Sequence, residues 1–312
     1  MAPAEAPVLA FVLGPTGSGK SALAVALAER FHGEIVNCDS IQLYRRLDIG
    51  AAKTTLEERR GIPHHLLDAL DPNQVFSAGE FARQAKQILY DIRDRGRLPI
   101  LAGGTGFYVR ALTDGLFAGP PRDENLRQDL VRREGRRSGL LHRFLRRLDP
   151  ASAHRIHPND VQKTVRAVEV CLRSRQAMSR QFGYTEEPLT GFRFVKFGLS
   201  PHRELLYARI NRRCERMLEL GLRREVEALV ADGYGEHSKA LESIGYKQMI
   251  EVLSGRLTEA EALESIRVET RHYAKRQLTW FRRDPDIHWL SGFGDDHAIQ
   301  QQAIAILQPF VP

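Results

Sequence analysis

Cysteine is scarce in this chain: three in 312 residues, Cys38, Cys171 and Cys214, far apart and odd in number. That excludes a disulfide framework, and with no CxxC pair it gives no zinc signature. No apolar run reaches the roughly 18 residues that a membrane-spanning helix needs. Met1 to Pro7 carries no basic residue ahead of an apolar stretch, so no secretory signal is expected. Internal repeats and low-complexity tracts are absent as well. These absences lead us to expect a protein of the reducing cytoplasm with no membrane association. No feature points to self-association, so a monomer is expected.

What is present fits a globular enzyme-sized chain. Hydrophobic residues make up 42% of it, close to the globular norm, and 27% is charged. The length corresponds to one large domain or two coupled ones. The net charge of +7 is unevenly distributed. Pro120 to Arg180 holds fifteen Lys or Arg against seven Asp or Glu, an excess of eight. The rest of the chain is close to neutral. Such a segment is either a solvated arginine-rich helical surface or the footprint of a polyanion.

Periodicity gives the fold class. Val8 to Leu13 (VLAFVL) is a short continuous apolar run, the pattern of a strand buried on both faces. A glycine-rich turn and an Ala/Leu-rich helix, Lys20 to Phe31, follow. Strands are expected at Glu34 to Cys38 and Leu98 to Ala102, with a helix at Gln84 to Arg95 between them. Strands alternating with helices mean a parallel sheet. After Gly119-Pro120-Pro121 strand signals stop for about seventy residues, then return at Phe192 to Leu199. Helices are expected at Arg203 to Glu219, Leu222 to Ala231 and Thr258 to Arg282. A late strand, Ile287 to Leu290, precedes a last helix. The reading is an α/β protein: a P-loop NTPase-like core with a parallel sheet flanked by helices, residues 1–119 and 190–312, interrupted by an all-helical insertion domain, 120–189.

One motif carries specific chemistry. Gly14, Pro15, Thr16, Gly17, Ser18, Gly19, Lys20 and Ser21 satisfy G-x-x-x-x-G-K-[ST], after an apolar strand and at the start of a helix. Glycines let successive backbone N–H groups converge on phosphate oxygens, and the helix N-terminus adds partial positive charge. Lys20 brings a point charge to the phosphates, and the Ser21 hydroxyl is placed to ligate Mg²⁺. Loops of this kind bind nucleotides such as ATP. A hydrolytic ATPase usually adds an apolar strand ending in Asp, whereas LPILA runs into Gly103-Gly104-Thr105. The loop therefore suits a diphosphate leaving group rather than a triphosphate to be split. Ligands bind beyond the carboxyl ends of strands in such sheets, and Asp39-Ser40-Ile41-Gln42 and Gly103 to Tyr108 occupy those positions. Asp39 is a general base, an Mg²⁺ ligand or a helix N-cap; the residues alone leave all three open.

Several segments together resemble the tRNA dimethylallyltransferase (tRNA isopentenyltransferase) family in its bacterial form. They are GPTGSGKS at 14–21, NCDSIQLYRRLDIGAAK at 37–53, PHHLLD at 63–68, FSAGEFARQA at 76–85, LAGGTGFYVRAL at 101–112, RIHPNDVQKTVRAVEV at 155–170, SIGYKQM at 243–249 and KRQLTWFRR at 275–283. They occur in the family's order over nearly the whole chain. Adenylate isopentenyltransferases share the loop and the Asp, but the HPND and KRQxTWF segments resemble the tRNA-acting branch. The resemblance implies transfer of a dimethylallyl group from dimethylallyl diphosphate to N6 of the adenosine at tRNA position 37, with diphosphate leaving and Mg²⁺ assisting. It implies catalytic roles for Asp39 as base, for Thr105 of the GGT turn and for Arg213 as a second phosphate clamp in an R-x-x-x-R pattern with Arg209. Read without the family, Arg213 is an ordinary helix arginine.

The resemblance also implies contacts with the anticodon stem-loop. These are Asp39, Ser40, Ile41, Gln42, Thr105, Arg127, Gln162, Lys163, Thr164, Val165, Arg166, Gly245, Tyr246, Lys247, Lys275, Arg276, Gln277, Trp280 and Arg282. The target base would be flipped out of its stack to enter the site, and basic residues interleaved with aromatics suit an RNA loop. Trp280 and Phe281 are equally readable as core, and Gln162 to Arg166 as a plain helix face behind an N-capping HPND. The chain departs from the family pattern at Val161-Gln162-Lys163, where Pro-Gln-Arg is usual and Lys loses the bidentate fork of Arg, and at Ile41. Arg136-Arg137 and Arg146-Arg147 match no family motif. The competing classes are a small-molecule P-loop kinase and an RNA-binding P-loop ATPase. The first leaves HPND and KRQLTWFRR unexplained; the second lacks a strand-end carboxylate.

Overall fold

The computed structural model describes residues 6–117, 119–181, 187–235 and 238–311. The elements run in the order β1 (Val8–Leu13), α1 (Lys20–Phe31), β2 (Gly33–Asn37), β3 (His64–His65), α2 (Ala78–Asp94), β4 (Leu98–Gly103), α3 (Gly106–Thr113), α4 (Glu124–Arg136), α5 (Leu140–Leu148), α6 (Pro150–Arg155), α7 (Val161–Ser174), β5 (Arg193–Leu199), α8 (Arg203–Glu219), α9 (Leu222–Ala231), α10 (Tyr246–Leu253), α11 (Glu259–Phe281), β6 (Ile287–Leu290) and α12 (His297–Leu307). Contacts divide the chain into two compact units, Met1–Leu112 with Leu189–Pro312, and Thr113–Pro188. The first junction falls earlier than the Gly119-Pro120-Pro121 break suggests.

The larger unit is built on one six-stranded sheet, ordered β3-β2-β4-β1-β5-β6, with every pairing parallel. β1 lies between β4 and β5 and is buried along its whole length. That is why its sequence is continuously apolar rather than alternating. Leu23, Leu27 and Phe31 of α1 pack with Val8, Ala10 and Val12 of β1 and Leu307 of α12 in one core. A second core gathers α8, α9, α10 and α11 around Tyr246, Ile210, Val226 and Ile266. Because all strands run the same way, the loops after β1, β2, β4 and β6 emerge on one edge of the sheet.

Side-chain caps set the starts of α2 and α7, among others. The Ser77 hydroxyl accepts from the Glu80 amide, so α2 starts at Ala78, ahead of the expected Gln84. Asp160 of the HPND segment accepts from the Lys163 amide and starts α7. The short helices α3 and α10 and the two-residue strand β3 have no counterpart in the sequence reading.

The smaller unit is built of α4 to α7 around Leu130, Leu141, Leu145, Val165 and Val168. Its central polar residue is Glu169, fully buried. The Glu169 carboxylate accepts from the Asp123 amide at 2.7 Å and from Arg166 at 2.8 Å, and lies 3.5 Å from Arg127. Two cations around one carboxylate make its burial tolerable.

Candidate active site

The phosphate loop leaves β1 at Gly14 and enters α1 at Lys20. Gly17 and Gly19 have φ of 80° and 86°, the left-handed region that lets the chain turn so tightly. Ser18 is buried, and its hydroxyl donates to the Pro15 carbonyl at 2.8 Å. Lys20 Nζ donates to the same carbonyl at 2.8 Å. Burial pushes the Lys20 pKa down to about 8, Asp39 opposes the shift, and Arg213 adds to it.

Asp39 follows β2. Its Oδ1 accepts from the amides of Ile41 at 2.9 Å and Gln42 at 3.4 Å, an Asx turn that fixes the carboxyl. Thr105 follows β4 and faces this turn: its Oγ1 accepts from the Ser40 amide at 3.1 Å, and its own amide donates to the Cys38 carbonyl. The Tyr273 side chain of α11 also bonds Thr105; burial and the neighbouring Asp39 raise the Tyr273 pKa well above its ordinary value. Arg213 of α8 donates through Nη2 to Thr16 Oγ1 at 2.6 Å. Its Nε is buried without a hydrogen-bond partner among the described residues. Burial lowers the Arg213 pKa, with Cys214 and Asp39 opposing.

Two cavities meet at these groups. One, about 510 Å³, is lined by Gly17, Gly19, Lys20, Ser21, Gln42, Arg209 and Asp295. The other, about 360 Å³, is lined by Ser40, Ile41, Ile244, Lys247, Tyr273 and Arg276. Thr16, Asp39, Ala51 and Arg213 line both. A carboxylate and a guanidinium thus stand between a phosphate-loop cavity and a mixed polar and apolar one. The wall segment 48–52 is held from α9. Glu225 accepts from the amides of Asp48, Ile49 and Gly50 at 3.1, 2.8 and 3.2 Å, and from the Tyr246 hydroxyl at 2.7 Å. Gln42 Nε2 donates to the carbonyls of Ala51 and Ala52.

The structure therefore brings the loop, Asp39 to Gln42, Thr105, Arg213, Lys247 and Arg276 together. Gly245 opens α10, and Lys247 pairs with Glu269 at 2.6 Å. Lys275 and Arg282 are exposed along and beyond α11, and Trp280 is 38% exposed with its inner edge against Gly106. In the smaller unit Gln162 and Lys163 are exposed, while Arg127 and Arg166 are engaged by Glu169.

Five residues expected to face RNA are interior instead: Thr164, Val165, Gly245, Tyr246 and Gln277. Tyr246 sits under Gly50 and bonds Glu225, and Thr164 bonds the Asp160 carbonyl. Gln277 is a strut of the phosphate loop. Its Oε1 accepts from the Thr16 amide at 2.7 Å and its Nε2 donates to the Gly104 carbonyl at 2.9 Å. A Cβ on Gly104 would lie 2.1 Å from that Nε2, so any side chain there would have to displace the Gln277 amide. Phe281 is core. Sequence reasoning missed Glu225, which sits in an unremarkable helical stretch, and Asp295, whose glycine-flanked position after β6 was a usable signal.

A phosphate loop at the carboxyl edge of a parallel sheet, with Lys20 and Arg213 beside it, defines a P-loop α/β protein. The family model for IPP transferase matches residues 42–284. The chain is 54% identical to the tRNA dimethylallyltransferase of Koribacter versatilis, over 97% of this chain and 98% of that one. It is 55% identical to the tRNA dimethylallyltransferase of Solibacter usitatus, over 97% and 99%. A crystal structure of a eukaryotic dimethylallyltransferase acting on tRNA superposes with a TM-score of 0.81 at 28% identity, over 98% of this chain and 80% of that one. The chain belongs to the IPP transferase family. No helix among the described residues is long and apolar enough to cross a membrane.

Proposed function

We propose that this protein transfers a dimethylallyl group from dimethylallyl diphosphate to N6 of the adenosine at tRNA position 37, releasing diphosphate. The observation that carries the reading is the shared wall: Asp39 and Arg213 line both the phosphate-loop cavity and its neighbour. A diphosphate in the first and an extruded adenine at the second put the donor and acceptor on either side of one carboxylate.

In this reading the adenine N6 attacks C1 of the dimethylallyl group, the C1–O bond breaks, and Asp39 takes the N6 proton. Asp39 suits the task because Oδ1 holds both backbone hydrogen bonds, while Oδ2 has no hydrogen-bond partner among the described residues. Lys20, Arg213 and the loop amides stabilise charge growing on the departing diphosphate. Gln277 and Thr105 are positioning residues: one fixes the Thr16 amide, the other the Ser40 amide. Mg²⁺ fits as a helper. The Ser21 hydroxyl offers a hard oxygen donor in the phosphate-loop cavity. When bound, the ion would neutralise diphosphate charge.

The donor is tested by thermal shift. Dimethylallyl diphosphate with Mg²⁺ is expected to stabilise the protein more than equal ATP, because ligand binding stabilises by mass action. A larger shift with ATP would favour a kinase. The RNA side is carried by exposed cations: Arg136, Arg137, Arg146 and Arg147 of the smaller unit, and Lys275, Arg276 and Arg282 at α11. Replacing those four insertion arginines with Gln is expected to flatten the slope of log affinity against log salt by about 0.7 to 0.9 per lost phosphate contact. Binding of dimethylallyl diphosphate should not change. An unaltered slope would remove the insertion from the RNA interface.

A further inference from the structure

The turn after β6 brings a carboxylate into the phosphate-loop cavity. Gly294 donates its amide to the Ser18 carbonyl at 2.9 Å, and its own carbonyl accepts from Gln300 of α12 at 3.0 Å. Asp296 closes the turn by accepting from the Phe293 amide at 3.1 Å. The docking is tight: a Cβ on Gly294 would lie 2.3 Å from the Gly19 carbonyl, and a Cβ on Gly19 would lie 2.7 Å from Asp295 Oδ1. So the Asp295 carboxylate lies against the last residue of the loop, at the N-terminus of α1. There it accepts from Arg209 Nη1 at 2.7 Å, and the Arg209 guanidinium lies 4.7 Å from the Phe293 ring centre. Arg209 precedes Arg213 by one helical turn, and both line the cavity.

We propose that Asp295 is a built-in competitor of diphosphate: it holds Arg209 between turnovers, yields it to the ligand, and reclaims it to speed diphosphate release. The inference rests on the reading of this cavity as a diphosphate site. Its physical basis is that Arg209 can serve one anion at full strength, and that an anion at a helix N-terminus is stabilised by the same dipole that attracts phosphate. A diphosphate in the cavity repels the Asp295 carboxylate. Because Asp295 is 46% exposed, it can turn to water when Arg209 leaves it.

The sign of one measurement separates this role from a structural one. Binding of inorganic diphosphate with Mg²⁺ is measured by calorimetry on the full chain. Asp295→Asn and Asp295→Ser are each expected to tighten binding about tenfold, and Asp295→Glu to restore parental affinity. In steady state, kcat should fall with stronger diphosphate inhibition, while single-turnover transfer keeps its rate. In an Arg209→Ala background the Asp295→Asn change should tighten binding by less than in the parent, because only the direct repulsion between the carboxylate and diphosphate is left to relieve. Unchanged or weaker binding in both neutral variants overturns the competitor role, since a carboxylate that only braces the loop or serves the cation would be missed. If the parent itself binds no diphosphate, the reading of the cavity fails, and the inference with it.

Discussion

Asp39→Asn is expected to lower dimethylallyl transfer by about 10² to 10⁴-fold, the range set by loss of a general base, and to leave dimethylallyl diphosphate binding within about threefold of parental. The substitution is chosen for its geometry. An asparagine Oδ1 accepts the same two amide hydrogen bonds from Ile41 and Gln42 that the Asp39 Oδ1 accepts now. The turn, the Ser40 amide and the Thr105 contact are kept, so a lost rate reports the lost proton acceptor. A kcat that falls with KM unchanged marks an interaction made in the transition state. Loss of diphosphate binding instead would make Asp39 part of the ground-state site.

Lys20→Met is expected to abolish measurable diphosphate binding and to raise stability. Burial pushes the Lys20 pKa down to about 8, from an ordinary lysine value of 10.5. Between those values the unfolded chain binds more protons than the folded one, so stability rises with pH across about pH 8 to 10.5. Below pH 8 the charged lysine is a standing cost, fully present at neutral pH. The side chain keeps some solvent access, so the gain on removal is about 1–2 kcal/mol. Urea denaturation should show Lys20→Met more stable than parental at pH 7, with the advantage shrinking toward pH 10.5. Diphosphate affinity of the parental protein should weaken above pH 8 as Lys20 deprotonates. A variant that is destabilised at pH 7 would mean that the Lys20–Pro15 hydrogen bond outweighs the burial of the charge.

These two residues were legible in the sequence because their chemistry is local. The phosphate loop needs its glycines, lysine and serine at fixed spacing, and a strand-end acid is read from the strand that precedes it. β1 was legible for a related reason: burial on both faces leaves a six-residue apolar signature. The struts were not legible. Gln277 holds the Thr16 amide across 261 positions of sequence, and Glu225 holds Ile49 across 176. No local pattern marks either. Motif matching assigned Thr164, Val165, Gly245, Tyr246 and Gln277 to an RNA surface because it marks segments, whereas burial is decided residue by residue around a helix. In α7, Gln162 and Lys163 are exposed while Thr164 and Val165 face the core. The helices α3 and α10 escaped because each is eight residues long and opens on a glycine or directly after one. Trp280 over Gly106 and Tyr246 under Gly50 supply the tertiary contacts that fix these segments.

The central claim is prenyl transfer to an RNA adenosine, and one assay meets it directly. Dimethylallyl diphosphate labelled in its prenyl group is incubated with the protein, Mg²⁺ and an unmodified anticodon stem-loop bearing the target adenosine. The account predicts label on N6 of that base with one equivalent of diphosphate released, and no transfer when the adenosine is replaced by guanosine. Label that stays with the donor, or that moves to free adenosine nucleotides in preference to the stem-loop, would contradict it.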